Sequence, residues 1–349
     1  MALRRSDRLA AIASSKRGRV SLAEETLGIP YLSQRSIMSY LRQTEALPLR
    51  AASRTCRDAV AEHAWDDSDP DCHAEGDFEE LGLIRGSLAA WRRCFPCARA
   101  ADLSGNATSD EGMASLRGVE RVWLRSCHMT DAGLAHLHAA RELDVSACMS
   151  ISDAGLAHLG ACRSLSIAFC SQITDAGLAH LGGLHTLSIA GCGEGLTDAG
   201  LAHLTRLTTL DMSYCEHITD AGLAHLRGIH TLNMSWCHNP ALTGAGLAHL
   251  VQAHTLDLSG STQVLAEHDL AHLPPSVLHL NLSHMGDALT NAALAPLAGV
   301  RTLDLRGCRL IDGEGMASLV SVRKLWLEGT LVGEEEVAEL RAAGAVVVV

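Results

Sequence analysis

The sequence predicts an α/β solenoid, a stack of short parallel strands that alternate with short helices, and three observations carry that prediction. A seven-residue block, DAGLAHL, recurs at residues 131–137, 153–159, 175–181, 198–204 and 220–226, with degraded copies at 244–250, 269–273 and 291–297. A second unit, L-x-[LIVM]-x-x-C, begins at Leu143, Leu165, Leu187, Leu210, Leu232 and Leu303. From one such leucine to the next neighbouring one is about 22 to 24 residues, the period of stacked repeats in which no single unit buries its apolar face alone.

Length and composition bound what such a stack does. The chain has 349 residues, 47% of them hydrophobic but only 3% aromatic, so its core is aliphatic. A formal net charge of −12 argues against phosphate-backbone binding as the main activity and suits a protein that binds proteins. Seven of the twelve cysteines (Cys127, Cys148, Cys170, Cys192, Cys215, Cys237 and Cys308) share one repeat position. Stacking makes them a ladder of buried free thiols, which reads as a reducing compartment, cytoplasmic or nuclear. No run approaches the roughly 18 apolar residues of a membrane span, and the first residues lack a secretory apolar core.

Residues 1–25 carry Arg4, Arg5, Arg8, Lys16, Arg17 and Arg19 among small residues and read as a basic disordered tail, with a nuclear-targeting patch at 16–19 or a transit peptide as alternatives. Residues 26–66 form a small helical domain. Pro30 opens it, and apolar residues return at helical spacing: Ile37 with Tyr40 and Leu41, Leu47 to Ala51, Cys56 with Ala59 and Val60. Pro48 falls in a first helical turn, where proline is tolerated, with Thr44 as N-cap. Three short helices in so few residues need a partner or a docked neighbour.

Residues 67–97 read as a linker with a helix or two, its start lying in an acidic loop of residues 66–71 (DDSDPD). Its Cys94-Phe95-Pro96-Cys97 has only Cys72-His73 upstream, which is not the spacing of a four-ligand zinc site, and no thioredoxin-like context surrounds it. No metal and no cofactor is expected.

The solenoid runs over residues 98–349 in about eleven repeats. Apolar pairs at period two, from Ala101/Leu103 through Leu143/Val145 and Leu232/Met234 to Leu325/Leu327, place both members on one face of a strand. Parallel neighbours need a crossover, and the DAGLAHL block supplies it: Asp or Thr-Asp caps a short helix, and its two leucines, three apart, face inward. The histidine between Ala and Leu (His136, His158, His180, His203, His225, His249, His272) forms a solvated convex stripe, which on acidification sheds net negative charge. Gly344 ends a last helix, and AVVVV follows as a final strand with an exposed edge.

These repeats resemble the leucine-rich repeat family, in particular its cysteine-containing type, in which Cys takes the place of the usual ladder Asn. Ser261, Met285 and Thr330 depart from Cys, so the ladder is expected to loosen past Cys237. Residues 29–65 resemble an F-box: Ile29-Pro30 for its Leu-Pro start, the segment 37–41 for its first helix end, Leu47 and Leu49 for its leucine pair, Thr55-Cys56-Arg57 for its core, Trp65 for its close. Ile29, Thr55 and Ala59 stand where the family has Leu, Val and Trp.

The F-box resemblance implies a substrate receptor of a Skp–cullin–F-box ubiquitin ligase. It implies that Ile29, Pro30, Ile37, Leu41, Leu47, Leu49, Cys56 and Arg57 dock a Skp-type adaptor and, through it, a cullin. On the solenoid, the concave residues read as a surface of small side chains with an acidic middle. Asp211, Asn233 and Asp257 lie in its middle column, and Trp123 with Arg125 makes a patch near its start. Phe169, Tyr214 and Trp236 stand just before the ladder position, and interfaces favour such residues. These eight residues are the candidates for holding a protein substrate. No nucleophile–base set and no phosphate loop stands out from the repeat copies, so no catalysis is expected. A free-standing repeat scaffold or inhibitor is the alternative. A GTPase-activating repeat protein would need a catalytic Arg or Asn at a repeat edge, and none stands out.

Overall fold

A computed structural model describes residues 88–105, 109–262, 267–319 and 321–349. The basic segment 1–25, the F-box-like segment 26–66 with all eight adaptor-docking candidates, and the linker up to residue 87 lie outside the described residues. A helix over Leu88–Cys94 leads into the repeats.

Fourteen strands follow among the described residues: β1 (Ala100–Asp102), β2 (Arg121–Trp123), β3 (Glu142–Asp144), β4 (Ser164–Ser166), β5 (Thr186–Ser188), β6 (Thr209–Asp211), β7 (Thr231–Asn233), β8 (Thr255–Asp257), β9 (His279–Asn281), β10 (Gly286–Thr290), β11 (Thr302–Asp304), β12 (Cys308–Leu310), β13 (Lys324–Trp326) and β14 (Val346–Val348). Twelve form one parallel sheet in chain order, and β10 pairs with β12 apart from it. The register is leucine on leucine: Leu143 lies opposite Leu165, then Leu187, Leu210 and Leu232 in turn. The first member of every expected apolar pair sits at the centre of a strand. Both members are buried in nearly all coils, and one apolar core runs through the stack. Each fully buried leucine contributes about 1.5–3 kcal/mol.

The crossovers that carry the DAGLAHL block start with one-turn helices, and the block is explained by what each residue touches. Thr174, Thr197 and Thr219, not the aspartates, are the N-caps, each accepting from the N–H two residues on. Asp occupies the first helical position and reaches into the following repeat. The Thr197 N–H donates to Asp175 Oδ1 at 2.8 Å and its hydroxyl to Oδ2 at 2.6 Å. The same pair of bonds joins Asp110 to Thr130, Asp131 to Ser152, Asp153 to Thr174, Asp198 to Thr219 and Asp220 to Thr243. Glycine makes room for it: a Cβ on Gly155, Gly177 or Gly200 would overlap the preceding repeat's Asp carboxylate and Leu Cδ1. The two leucines, such as Leu178 and Leu181, are buried, and His158, His180, His203 and His225 face solvent.

The thiols form the expected ladder with a defined bond. Each Sγ–H of Cys127, Cys148, Cys170, Cys192, Cys215, Cys237 and Cys308 donates to the carbonyl just after the preceding repeat's strand at 3.0–3.4 Å. The ladder does not loosen immediately past Cys237: the Ser261 hydroxyl makes the equivalent bond to the Met234 carbonyl at 3.1 Å. A hydroxyl is the stronger donor, so Ser substitutes for Cys here. Met285 has no proton to give, and Cys308 resumes the series. At the far end Gly344 adopts φ +97° after the helix Glu334–Ala342, and β14 pairs with β13. Val347 is buried, while Val346 and Val348 are exposed. No described helix is long and apolar enough to cross a membrane.

Candidate protein-binding face

Strand alternation sends the first and third residues of each strand to the concave side. The middle column of the sequence reading is structural as well as exposed. The Oδ1 atoms of Asp102, Asp144, Asp211, Asn233, Asp257, Asn281 and Asp304 each accept the backbone N–H two residues on, at 2.9–3.1 Å. These are Asx turns, and they bend the chain out of the strand. Asp211 Oδ2 accepts from Ser188, and Asp257 Oδ2 from Asn281 Nδ2. Thus Asp211, Asn233 and Asp257, contiguous on β6 to β8, all shape the face, and the two aspartates also colour it negative.

The residue after each turn is left-handed. Gly105, Gly191, Gly260, Gly307 and Gly329 occupy this position with φ between 60° and 76°. Six other coils place Ser126, Ala147, Phe169, Tyr214, Trp236 and His284 there, at φ 56–60°. A bulky side chain in this region is an outlier, with a conformational cost on the order of 1–3 kcal/mol. Backbone bonds hold it there: the Tyr214 N–H donates to the Ser235 carbonyl and the Trp236 N–H to that of Ser259.

The rings so placed line the strand-exit rim. Phe169 is 51% exposed, Tyr214 52% and Trp236 37%. Tyr214 and Trp236 are offset-stacked, with centroids 6.3 Å apart and planes within 4°. Trp236 also meets His238 edge-on at 6.4 Å and His284 at 6.2 Å. Two glycines make the rim continuous: a Cβ on Gly191 would strike the Phe169 ring, and one on Gly260 the Trp236 indole. The structure therefore assembles Phe169, Tyr214, Trp236 and His284 into one ridge. Of these, His284 and the ring-seating role of Gly191 and Gly260 were missed from sequence. The signal that finds them is the recurrence of Gly at the ridge position.

Trp123 and Arg125 are not part of this ridge. They lie on and just after β2, two strands before β4, where the ridge begins at Phe169, which is about 10 Å at the usual strand spacing, and four strands from Tyr214. Arg125 is tied down by an ion pair with Asp144. At the other end Arg306 pairs with Asp304, and Lys324 Nζ sits 4.4 Å from the Trp326 ring. The concave columns are thus internally neutralised at both ends. The first strand column, not evident from the sequence, is a run of hydroxyls at Ser164, Thr186, Thr209, Thr231 and Thr255 that resumes at Thr302 after His279.

Comparison with known proteins bears on the fold. The family described as "Leucine Rich repeat" matches residues 203–226 and 300–320. No curated protein matches the chain. A chain of the Drosophila Toll–Spatzle complex is similar over 71% of this chain and 39% of its own, at 15% identity and a TM-score of 0.54. A chain of the mouse RP105/MD-1 complex is similar over 74% of this chain and 55% of its own, at 15% identity and a TM-score of 0.51. This chain therefore spans less than two thirds of the length of either, and at these identities the likeness is one of fold. Repeat period, in-register parallel sheet and the two matched stretches agree on a leucine-rich repeat fold.

Proposed function

We propose that the chain is a non-catalytic receptor that grips a protein partner along the ridge Phe169–Tyr214–Trp236–His284 and the adjoining concave columns. One observation carries this reading. Large rings occupy a left-handed position that glycine fills in other coils, and they are held there exposed. A residue that destabilises the free fold and leaves much of its ring in solvent is best explained by a bound state in which the ring is covered. The Toll and RP105 structures are complexes, with Spatzle and with MD-1 respectively.

The finer reading assigns the partner's fate. An F-box-like order of residues directly ahead of the repeats supports a substrate receptor of a Skp–cullin–F-box ubiquitin ligase. Ile29, Pro30, Ile37, Leu41, Leu47, Leu49, Cys56 and Arg57 would dock the adaptor, while the ridge holds the substrate near the ligase's conjugating enzyme. The chain then acts by proximity, with no bond chemistry of its own. Buried free thiols support a cytoplasmic or nuclear setting.

Co-purification of the full chain with a Skp-type adaptor tests it. A stoichiometric complex is expected, and the double variant Pro30→Ala/Leu41→Ala should lose the adaptor while the solenoid unfolds at the same temperature. No complex with the unmodified chain would leave the free-standing scaffold reading in its place.

A further inference from the structure

The opposite, strand-entry rim has a character that the net charge conceals. One residue per coil, just before or opening the strand, forms a column: Arg99, Glu120, Arg141, Arg163, His185, Thr208, His230, His254, Leu278, Arg301 and Arg323. Backbone bonds define it, because each carbonyl from Arg99 to Arg301 accepts two N–H groups from the next coil, and that of Arg323 accepts the Val346 N–H. The Arg141 carbonyl takes Arg163 and Ser164, and the Arg163 carbonyl takes His185 and Thr186. This double clamp fixes the side chains in a straight file, one strand spacing (about 4.8 Å) apart. The His230 and His254 rings stack along it at 5.5 Å.

Five of these eleven residues are arginine, whereas Lys and Arg together are 28 of 349 residues, about one in twelve. Arg99, Arg141, Arg163, Arg301 and Arg323 are all exposed. None makes a side-chain hydrogen bond or ion pair among the described residues, unlike Arg125 and Arg306, which are neutralised by Asp144 and Asp304. Glu120 in the column and Glu142 beside it are half-buried acids near the first group, and Glu336 and Glu339 line one cavity with Arg323 at the other end without pairing with it. In an acidic chain, free arginines gather at the two ends of one rim while its centre is imidazole and hydroxyl.

We propose that this rim binds an extended acidic polypeptide segment that spans both arginine groups. Nucleic acid fits less well: the exposed aromatic ridge that would stack bases lies on the other rim, and along this one only the His230 and His254 rings stack among the described residues. From Arg163 to Arg301 is six strand spacings, about 29 Å, which an extended peptide covers with about nine residues. Engaging both groups at once raises affinity through effective concentration. This surface is independent of the aromatic ridge and of the adaptor reading.

The test is fluorescence anisotropy of labelled oligoglutamates, five and fifteen residues long, against the full chain at low and at 200 mM salt, with labelled oligouridine in parallel. The longer peptide is expected to bind at least tenfold more tightly than the shorter, and salt should weaken it. Arg301→Ala/Arg323→Ala should erase the length advantage and Arg141→Ala/Arg163→Ala should weaken both peptides, while Arg309→Ala, on the other side, changes neither. Equal binding of the two lengths, indifference to both double variants, or tighter binding of oligouridine overturns the proposal. Circular dichroism of each variant checks that the solenoid persists.

Discussion

Asp175 and Thr197, in successive repeats, are joined by two short hydrogen bonds, from the threonine N–H at 2.8 Å and its hydroxyl at 2.6 Å. The same hydroxyl caps its own helix by accepting from the Ala199 N–H. One threonine thus starts a helix and ties it to the coil before. Repeated along the convex side, this link makes stacking depend on a polar ladder as well as on the leucine core.

Removing one rung should weaken the stack measurably. Asp175→Ala leaves the Thr197 donors without their acceptor and is expected to lower unfolding free energy by about 2 kcal/mol, since bonds to charged groups contribute about 1.5–3 kcal/mol. Asp175→Asn should lose less, because Asn291 already serves a comparable rung, bonded to Asp312 in both directions. Urea unfolding followed by circular dichroism gives both numbers; equal losses would contradict the rung.

Gly177 is expected to resist even alanine. Its Cβ would overlap the Asp153 carboxylate and Leu156 Cδ1. Overpacking of this kind costs about 1–3 kcal/mol, although alanine is otherwise the better helix former. A Gly177→Ala variant as stable as the parent would show that the close approach is not binding on the fold.

The ridge residues separate stability from recognition. Replacing Tyr214 or Trp236 by Gly relieves the left-handed backbone, while Ala keeps it. Each Gly variant should therefore unfold about 1 kcal/mol later than its Ala counterpart. Partner capture should fall in both, by about 2 kcal/mol or more if these rings are interface anchors. Capture unaffected by Tyr214→Gly/Trp236→Gly would remove the ridge from the binding surface.

Burial raises the ladder thiols from their ordinary 9.0, Cys148 to about 12 and Cys170, Cys192, Cys237 and Cys308 to about 11. The folded state holds these protons more tightly than the unfolded one. Their contribution to stability is therefore complete below pH 9 and lost as pH rises through 11–12. The urea midpoint should stay level to about pH 9 and then drop, with a shallower drop in Cys170→Ser, the replacement that Ser261 already makes in the ladder. At pH 8 a thiol reagent mapped by mass spectrometry should leave the ladder cysteines unlabelled and modify exposed Cys97.

The solenoid was legible because its constraints are local and repeated. Leucine at period two fixes which strand face is buried, and a fixed interval fixes what stacks on what. The role of Asp in DAGLAHL was not legible. Its position before a hydrophobic turn looks like a cap, yet its partner lies in another repeat, about 21 residues away. The ridge was half legible: Phe169, Tyr214 and Trp236 stood out as rare aromatics. That they share one left-handed position with glycines, and lie over Gly191 and Gly260, depends on backbone angles that residue types do not state.

The sequence by itself determined the repeat, its period, the aliphatic spine and the cysteine file, since each is a pattern of residue types at fixed spacing. Only the tertiary structure decided which polar groups pair across coils, why Ser261 replaces a thiol, and which arginines find no partner among the described residues. Those are distances between residues remote in sequence, and they exist only once the coils are stacked.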